Sequence, residues 1–220
     1  MKTGILFDLD GTLLDTLEDI RDSVNYALTT LGYPERTLEE VRRFVGNGAG
    51  RLMEQAVPAG GNAEEALAIF QSFYPNHCQI KTKPYDGIPE ALRILAEKYP
   101  LAIVSNKPDS AVKPLCGRYF PGLFARGESV DCLRKPAPDM VRKAMEAIGV
   151  DTCVYVGDSE VDVRTAANAG VPCLSVLWGF RGLTEITAAG GSRFCSTPYE
   201  LASTLERMIL EKEDGSRHGK

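Results

Sequence analysis

The sequence predicts an α/β protein: a doubly wound parallel sheet with an all-α segment inserted after its first strand. Three observations carry this. Short runs that are apolar throughout recur along the chain, as strands covered on both faces require. They are Gly4–Phe7, Leu101–Val104, Leu123–Ala125, Val154–Val156 and Cys173–Leu177, with Arg193–Cys195 a weaker sixth. Helical patterns separate them over Pro89–Lys98, Ser110–Tyr119, Pro138–Ile148, Val161–Asn168 and Tyr199–Lys212, and strands alternating with helices wind a parallel sheet. Between about Asp15 and Pro84 the alternation stops and only helix patterns remain.

Within that interval Leu17, Ile20, Val24, Leu28 and Leu31 recur at helical spacing, and Gly32 can end the helix. Leu38–Val45, Gly50–Ala56 and Ala63–His77 read the same way. The chain leaves the sheet near Asp15 and returns at the turn signal Tyr85-Asp86-Gly87. Residues 1–14 and 85–212 are thus expected to form the α/β core and 15–84 a helical insert, with a polar tail over 213–220 that should fray. An independent N-terminal helical domain is the alternative, but it would strand Gly4–Phe7 without a ladder partner.

Bulk composition narrows the function. The chain has 220 residues, 44% of them hydrophobic and 25% charged, enough for a sizeable core and too apolar for disorder. Lys and Arg number 25 against 30 Asp and Glu, a net charge of −5 that lacks the basic footprint of a nucleic-acid or anionic-membrane binder. No stretch approaches the ~18 apolar residues of a membrane span, and the apolar run before Asp8 is too short for a signal peptide. The six cysteines show no zinc-type spacing and read as free thiols of a reducing cytoplasm. His77 and His218, the two histidines, fall away from strand ends, which disfavours histidine catalysis. A soluble cytoplasmic protein is expected; its oligomeric state is not readable.

In open α/β sheets ligands bind beyond the carboxyl ends of the strands, and the residues there are polar. The first strand runs into Asp8-Leu9-Asp10-Gly11-Thr12. Two carboxylates this close are costly without a cation or hydrogen bonds, and a hard ion such as Mg²⁺ would compensate; an Asx turn closing the strand is the simpler reading. After Leu101–Val104 comes Ser105-Asn106-Lys107, donors for phosphoryl oxygens or merely helix caps. In Arg134-Lys135-Pro136-Ala137-Pro138-Asp139 the prolines fix the backbone after Lys135, which can neutralise a phosphoryl group or simply precede a helix. Gly157-Asp158-Ser159-Glu160-Val161-Asp162 brings a second acidic cluster, either metal-binding or favoured by a helix dipole.

Taken together, in this order and spacing, these segments resemble the haloacid dehalogenase-like hydrolase superfamily. The likeness covers the chain from Lys2 to about Arg207, and the helical insert looks like that superfamily's small α-helical cap on a Rossmann-like core. Phe7-Asp8-Leu9-Asp10-Gly11-Thr12-Leu13, Val45-Gly46-Asn47-Gly48 and Trp178-Gly179-Phe180 look most like its phosphoglycolate phosphatases. Pyrophosphatases and sugar-phosphate phosphatases or mutases are nearby relatives. The resemblance implies Asp8 as a nucleophile that becomes an aspartyl-phosphate, and Asp10 as general acid and then base. It implies Mg²⁺ held by Asp8, the backbone carbonyl of Asp10 and Asp158, with Asp162 in support. Ser105 and Lys135 would grip the phosphoryl oxygens, with Thr12 and Asn106 beside them. In the cap, Gly46, Asn47, Gly48 and Arg51 are the implied substrate contacts. The dehalogenases of the superfamily lack an acid where Asp10 stands, so Asp10 favours phosphate chemistry on a small phosphorylated metabolite. The rivals are a receiver-like module that accepts phosphate on Asp without turnover, and a non-catalytic binding protein on the same fold.

Overall fold

The structure, a computed structural model, describes the backbone of residues 1–217 and the side chains of residues 1–211. The chain begins with β1 (Thr3–Phe7), followed by a two-residue strand, β2 (Leu14–Asp15). Four helices follow: α1 (Leu17–Thr30), α2 (Leu38–Phe44), α3 (Gly48–Ala56) and α4 (Ala63–His77). A second two-residue strand, β3 (Lys83–Pro84), brings the chain back. From there strands and helices alternate: α5 (Ile88–Ala96), β4 (Leu101–Pro108), α6 (Asp109–Tyr119), β5 (Phe124–Glu128) and α7 (Asp139–Ile148). The chain closes with β6 (Thr152–Gly157), α8 (Glu160–Ala169), β7 (Cys173–Val176), α9 (Leu183–Ala188), β8 (Phe194–Cys195) and α10 (Leu201–Arg217).

Six strands form one sheet in the order β5-β4-β1-β6-β7-β8, every neighbouring pair parallel. The doubly wound arrangement follows from burial on both faces. Ile5 and Phe7 turn to one core with Ile103, Val154 and Val156, while Leu6, Val104 and Tyr155 turn to the other with Met140, Val141 and Ala144 of α7. Each such Val, Leu or Ile removed from water contributes roughly 1.5–3 kcal/mol. Because β1 lies between β4 and β6, the chain reverses its winding direction there, and a crevice opens beyond the carboxyl end of β1.

The helical insert was legible because its periodicity is regular. Ile20, Val24, Ala27 and Leu28 of α1 are buried against Phe70 and Tyr74 of α4. The Thr37 hydroxyl accepts from the Glu40 amide while the Glu40 carboxylate accepts from the Thr37 amide, a capping box that starts α2.

Four features differ from the sequence reading. β2 and β3 pair antiparallel, Leu14 with Pro84 and Asp15 with Lys83, at the neck where a strandless interval was expected; two residues are too few for an apolar pattern. β4 continues past Val104 to Pro108, so Ser105, Asn106 and Lys107 belong to the strand itself. The short α9 buries only Ile186 and offers no stripe to read. The last helix runs to Arg217, through 213–217 where fraying was expected; residues 218–220, with His218, lie outside the described residues. None of the six cysteines forms a disulfide, and none of the described helices is long and apolar enough to cross a membrane.

Candidate active site

Asp8 is the first residue beyond β1, and its amide donates to the Val156 carbonyl at 2.8 Å, so the strand ladder itself fixes where it stands. Its Oδ1 accepts from the Leu9 amide at 2.7 Å and lies 2.8 Å from the Lys135 ammonium. The same ammonium is 2.9 Å from Asp162 Oδ1. Lys135 thus bridges two carboxylates with its side chain only 2% exposed.

Lys135 is positioned by Asn106 at the end of β4. The Asn106 Oδ1 accepts from the Lys135 amide at 2.7 Å, and its Nδ2 donates to the carbonyls of Lys135 at 2.9 Å and of Gly46 in the helical insert at 3.1 Å. Every hydrogen-bonding atom of this amide side chain is therefore engaged. Asn106 acts as a brace between sheet, loop and insert rather than as a free donor.

Asp158, beyond β6, accepts from the Thr12 hydroxyl at 3.1 Å and from the Phe180 amide at 2.7 Å. Gly11 (φ +79°) and Gly179 leave the space it occupies; a Cβ on either would run into its carboxylate. Asp162 takes four donors: Lys135 and the Tyr155 hydroxyl on Oδ1, the Ser159 amide and hydroxyl on Oδ2. It caps α8 and holds Lys135 in one place.

Asp8, Asp158 and Asp162 each present an oxygen within 4.8 Å of the others, all buried. Burial pushes the Asp8 carboxyl up to about 8; Lys135 opposes this, and the charges of Asp162 and Asp158 add to it. Burial, then the charge of Asp162, pushes Asp158 up to about 7 against its two hydrogen bonds and Lys135. Burial pulls Lys135 down, but the two carboxylates outweigh it and raise the ammonium well above its ordinary value. One lysine among three buried acids leaves a deficit of positive charge. An all-oxygen donor set of this kind fits a hard divalent cation.

Asp10 gives no side-chain oxygen to this group. Both its oxygens face Lys107 Nζ, at 2.8 and 3.1 Å, and the same ammonium meets the hydroxyl of Tyr74 on α4. A cavity of about 60 Å³, room for roughly four waters, lies between sheet and insert. Asp8, Asp10, Ser105, Lys107, Lys135 and Asp158 line its floor, and Ile20, Val45, Ala49, Leu52, Phe70 and Tyr74 its roof.

Of the residues expected at the site, Asp8, Asp10, Ser105, Asn106, Lys135, Asp158, Gly46 and Gly48 line this cavity. Thr12 is fully buried behind Asp158, its carbonyl receiving the Trp178 indole N–H at 3.0 Å, and it positions that acid rather than facing the cavity. Asn47 and Arg51 are not among the lining residues; the Arg51 guanidinium is 56% exposed and paired with Glu54 at 2.7 Å. Lys107, Tyr74 and Arg181 were not foreseen. Lys107 follows directly on Ser105-Asn106, which was a readable signal. Tyr74 sits four residues after Phe70 on the apolar stripe of α4 and reads as core. Arg181 donates to the carbonyls of Arg42, Arg43 and Val45, and its pairing with the insert is invisible in sequence.

A six-stranded parallel sheet that gathers acids and lysines at one carboxyl edge beneath a helical insert is an α/β architecture suited to phosphoryl transfer. Residues 5–176 match the family of haloacid dehalogenase-like hydrolases, and the chain belongs to that family. Its relatives are phosphatases. The phosphoglycolate phosphatase of Pseudomonas putida is 36% identical over 202 residues, spanning 86% of this chain and 74% of that one. The phosphoglycolate phosphatase of Aquifex aeolicus is 31% identical over 215 residues, spanning 94% and 98%. A crystal structure from Lactobacillus delbrueckii subsp. bulgaricus, provisionally assigned as a phosphoglycolate phosphatase, superposes with a TM-score of 0.86 at 34% identity, over 93% of this chain and 99% of that one.

Proposed function

We propose that this phosphatase hydrolyses a small phosphomonoester, 2-phosphoglycolate being the substrate best supported, through an aspartyl-phosphate on Asp8 and with Mg²⁺ as cofactor. One observation carries the reading. Asp8 is held by Lys135 and the Leu9 amide through a single oxygen, Oδ1, at the floor of the cavity, while Asp10 sits two residues on with a separate ammonium partner. One carboxylate is fixed for attack, and the other is kept apart from it for proton transfer.

In the first half-reaction Asp8 Oδ2 attacks phosphorus, the bond from phosphorus to the ester oxygen breaks, and Asp10 gives its proton to the departing alkoxide. In the second, Asp10 takes a proton from water as that water attacks the acyl phosphate, releasing inorganic phosphate and restoring Asp8. Lys135, Ser105 and the backbone amides near Leu9 and Asn106 hold the phosphoryl oxygens throughout. Mg²⁺, bound by Asp8, Asp158 and the Asp10 carbonyl, would neutralise phosphoryl charge so that an anionic nucleophile can approach. Asp162 acts on this set through Lys135 and Thr12 through Asp158.

Residues 15–84 act in this reading as the cap. Gly46 and Gly48 at the start of α3 face the cavity, and Arg42 reaches the carbonyls of Gly179 and Phe180 at 3.2 and 2.9 Å, which keeps the roof closed. The substrate follows from the relatives' activity. The test is phosphate release with Mg²⁺ or with chelator, comparing 2-phosphoglycolate, sugar phosphates, nucleotides and pyrophosphate. The expected result is metal-dependent turnover with the highest kcat/KM for 2-phosphoglycolate. Faster hydrolysis of pyrophosphate or a sugar phosphate would reassign the substrate, and a stable phosphoprotein without turnover would overturn the mechanism.

A further inference from the structure

We propose that Lys107 and Tyr74 form the specificity element of the cavity, a cation and a hydroxyl that together bind a carboxylate on the carbon next to the phosphoester oxygen. The proposal rests on the phosphomonoesterase reading and narrows it to one substrate class, phosphorylated 2-hydroxy acids.

Three cationic side chains line the cavity: Lys107, Lys135 and Arg181. Two are committed elsewhere. Lys135 stands between Asp8 and Asp162 and serves the phosphoryl group. Arg181 spends its guanidinium on three backbone carbonyls of the insert and on Glu160 at 3.2 Å. Lys107, with its side chain 2% exposed, is the cation on the leaving-group side, where Asp10 is its one charged partner among the described residues.

Its position matches the chemistry. Asp10 protonates the ester oxygen in the proposed reaction, so that oxygen comes to rest against Asp10, and Lys107 Nζ is already within hydrogen-bond distance of both Asp10 oxygens. A carboxylate on the adjoining carbon is two bonds from the ester oxygen and falls within reach of the same ammonium. The other roof side chains give a charged group nothing: Ile20, Val45, Ala49, Leu52 and Phe70 are apolar. A carboxylate lodged there without a cation would bear the full cost of desolvation.

Tyr74 completes the pair. Its oxygen accepts from Lys107, so its own proton points elsewhere, and among the described residues that proton has no acceptor. Burial and the nearby charge of Asp10 keep the phenol protonated. The hydroxyl of a buried tyrosine, with a spare donor at the cavity wall, is a ready partner for an anion. Lys107 comes from the sheet and Tyr74 from α4, so the bound carboxylate would be gripped by both halves at once.

The experiment separates recognition from turnover. Isothermal titration in Mg²⁺ buffer compares 3-phosphonopropionate, an unreactive mimic with a carboxylate, against propylphosphonate, in which a methyl group replaces it. Wild-type protein should prefer the carboxylate by about 10- to 100-fold, as hydrogen bonds between charged groups give. Lys107→Met should erase that preference while retaining propylphosphonate affinity. Tyr74→Phe, which keeps the ring packing, should reduce it by roughly 3- to 10-fold. Circular dichroism confirms the fold of each variant, and p-nitrophenyl phosphate hydrolysis by the wild type checks the underlying reaction. A preference that survives in Lys107→Met and Tyr74→Phe overturns the proposal. Equal wild-type binding of the two phosphonates overturns it as well, and leaves the phosphatase reading standing so long as p-nitrophenyl phosphate is hydrolysed. Absence of both phosphonate binding and hydrolysis overturns the two together.

Discussion

The floor and the roof of the cavity are built on opposite principles. On the floor, Asp8, Asp158, Asp162, Lys135 and Asn106 are tied into one hydrogen-bonded lattice with hardly a polar atom spare. All but Asp162, which sits in the first turn of α8, are carried by the end of a strand or by the loop that follows it, so the sheet register largely sets their spacing. The roof is a set of apolar helical side chains with one polar intruder, Tyr74. The difference teaches a division of labour. Chemistry that needs charges fixed to fractions of an ångström is placed on the rigid sheet, and selection is left to helices joined through a short neck. The neck has its own lock. The buried Asp19 carboxylate accepts from the amides of Ile80, Lys81 and Thr82 at 2.9–3.0 Å, which fastens the start of α1 to the returning chain.

The comparison breaks most completely at the floor. Asp8→Asn should abolish turnover by at least about 10⁴-fold with an unchanged circular dichroism spectrum; retained phosphate release would remove Asp8 from its role. Asp158→Asn should lower activity by at least about 10²-fold and yet stabilise the metal-free protein by roughly 1 kcal/mol above pH 8, read as a higher melting midpoint in chelator.

That second effect has a pH signature. Asp8 and Asp158, pushed up to about 8 and about 7, both lie above the unfolded-chain value near 3.8. Across this window the folded, metal-free protein holds protons that the unfolded chain has released, so stability falls as pH rises from about 4 to 8. Melting in chelator should therefore drop over that range, and the stabilisation by added Mg²⁺ should grow with pH. A melting midpoint that is flat from pH 5 to pH 8 would contradict the charge deficit on the floor.

Effects on the roof should be smaller and of a different kind. Arg181→Ala deprives three carbonyls of the insert of a buried donor. It should cost about 1–3 kcal/mol of stability and raise KM by roughly tenfold with kcat less affected, as steady-state kinetics would show. Arg51→Ala, on an exposed face, should change KM less than about twofold and stability by under about 0.5 kcal/mol. A large rise in KM there would return Arg51 to the substrate.

Legibility in the sequence followed the same divide. Two of the floor acids stand directly after an apolar run, Asp8 after Phe7 and Asp158 after Gly157, because the end of a buried strand is where a polar residue first meets solvent or ligand. Arg51 shows the limit: a charged residue on a helix near a glycine loop looks the same in sequence whether it faces the cavity or the solvent. Thr12 shows another, since adjacency to Asp10 says nothing of whether its hydroxyl turns to substrate or back to Asp158.

By itself the sequence determined the alternation of buried strands with helices, the break in it that houses the insert, and the acids and lysines waiting at strand ends. These follow from local periodicity and from the short range of turn and cap preferences. Only the tertiary structure decided who pairs with whom. Asp10 with Lys107, Lys135 with Asp8 and Asp162, and Tyr74 over Lys107 join residues far apart in the chain. Such partners are set by strand order and by how the insert folds back over the sheet, and no local preference encodes that distance.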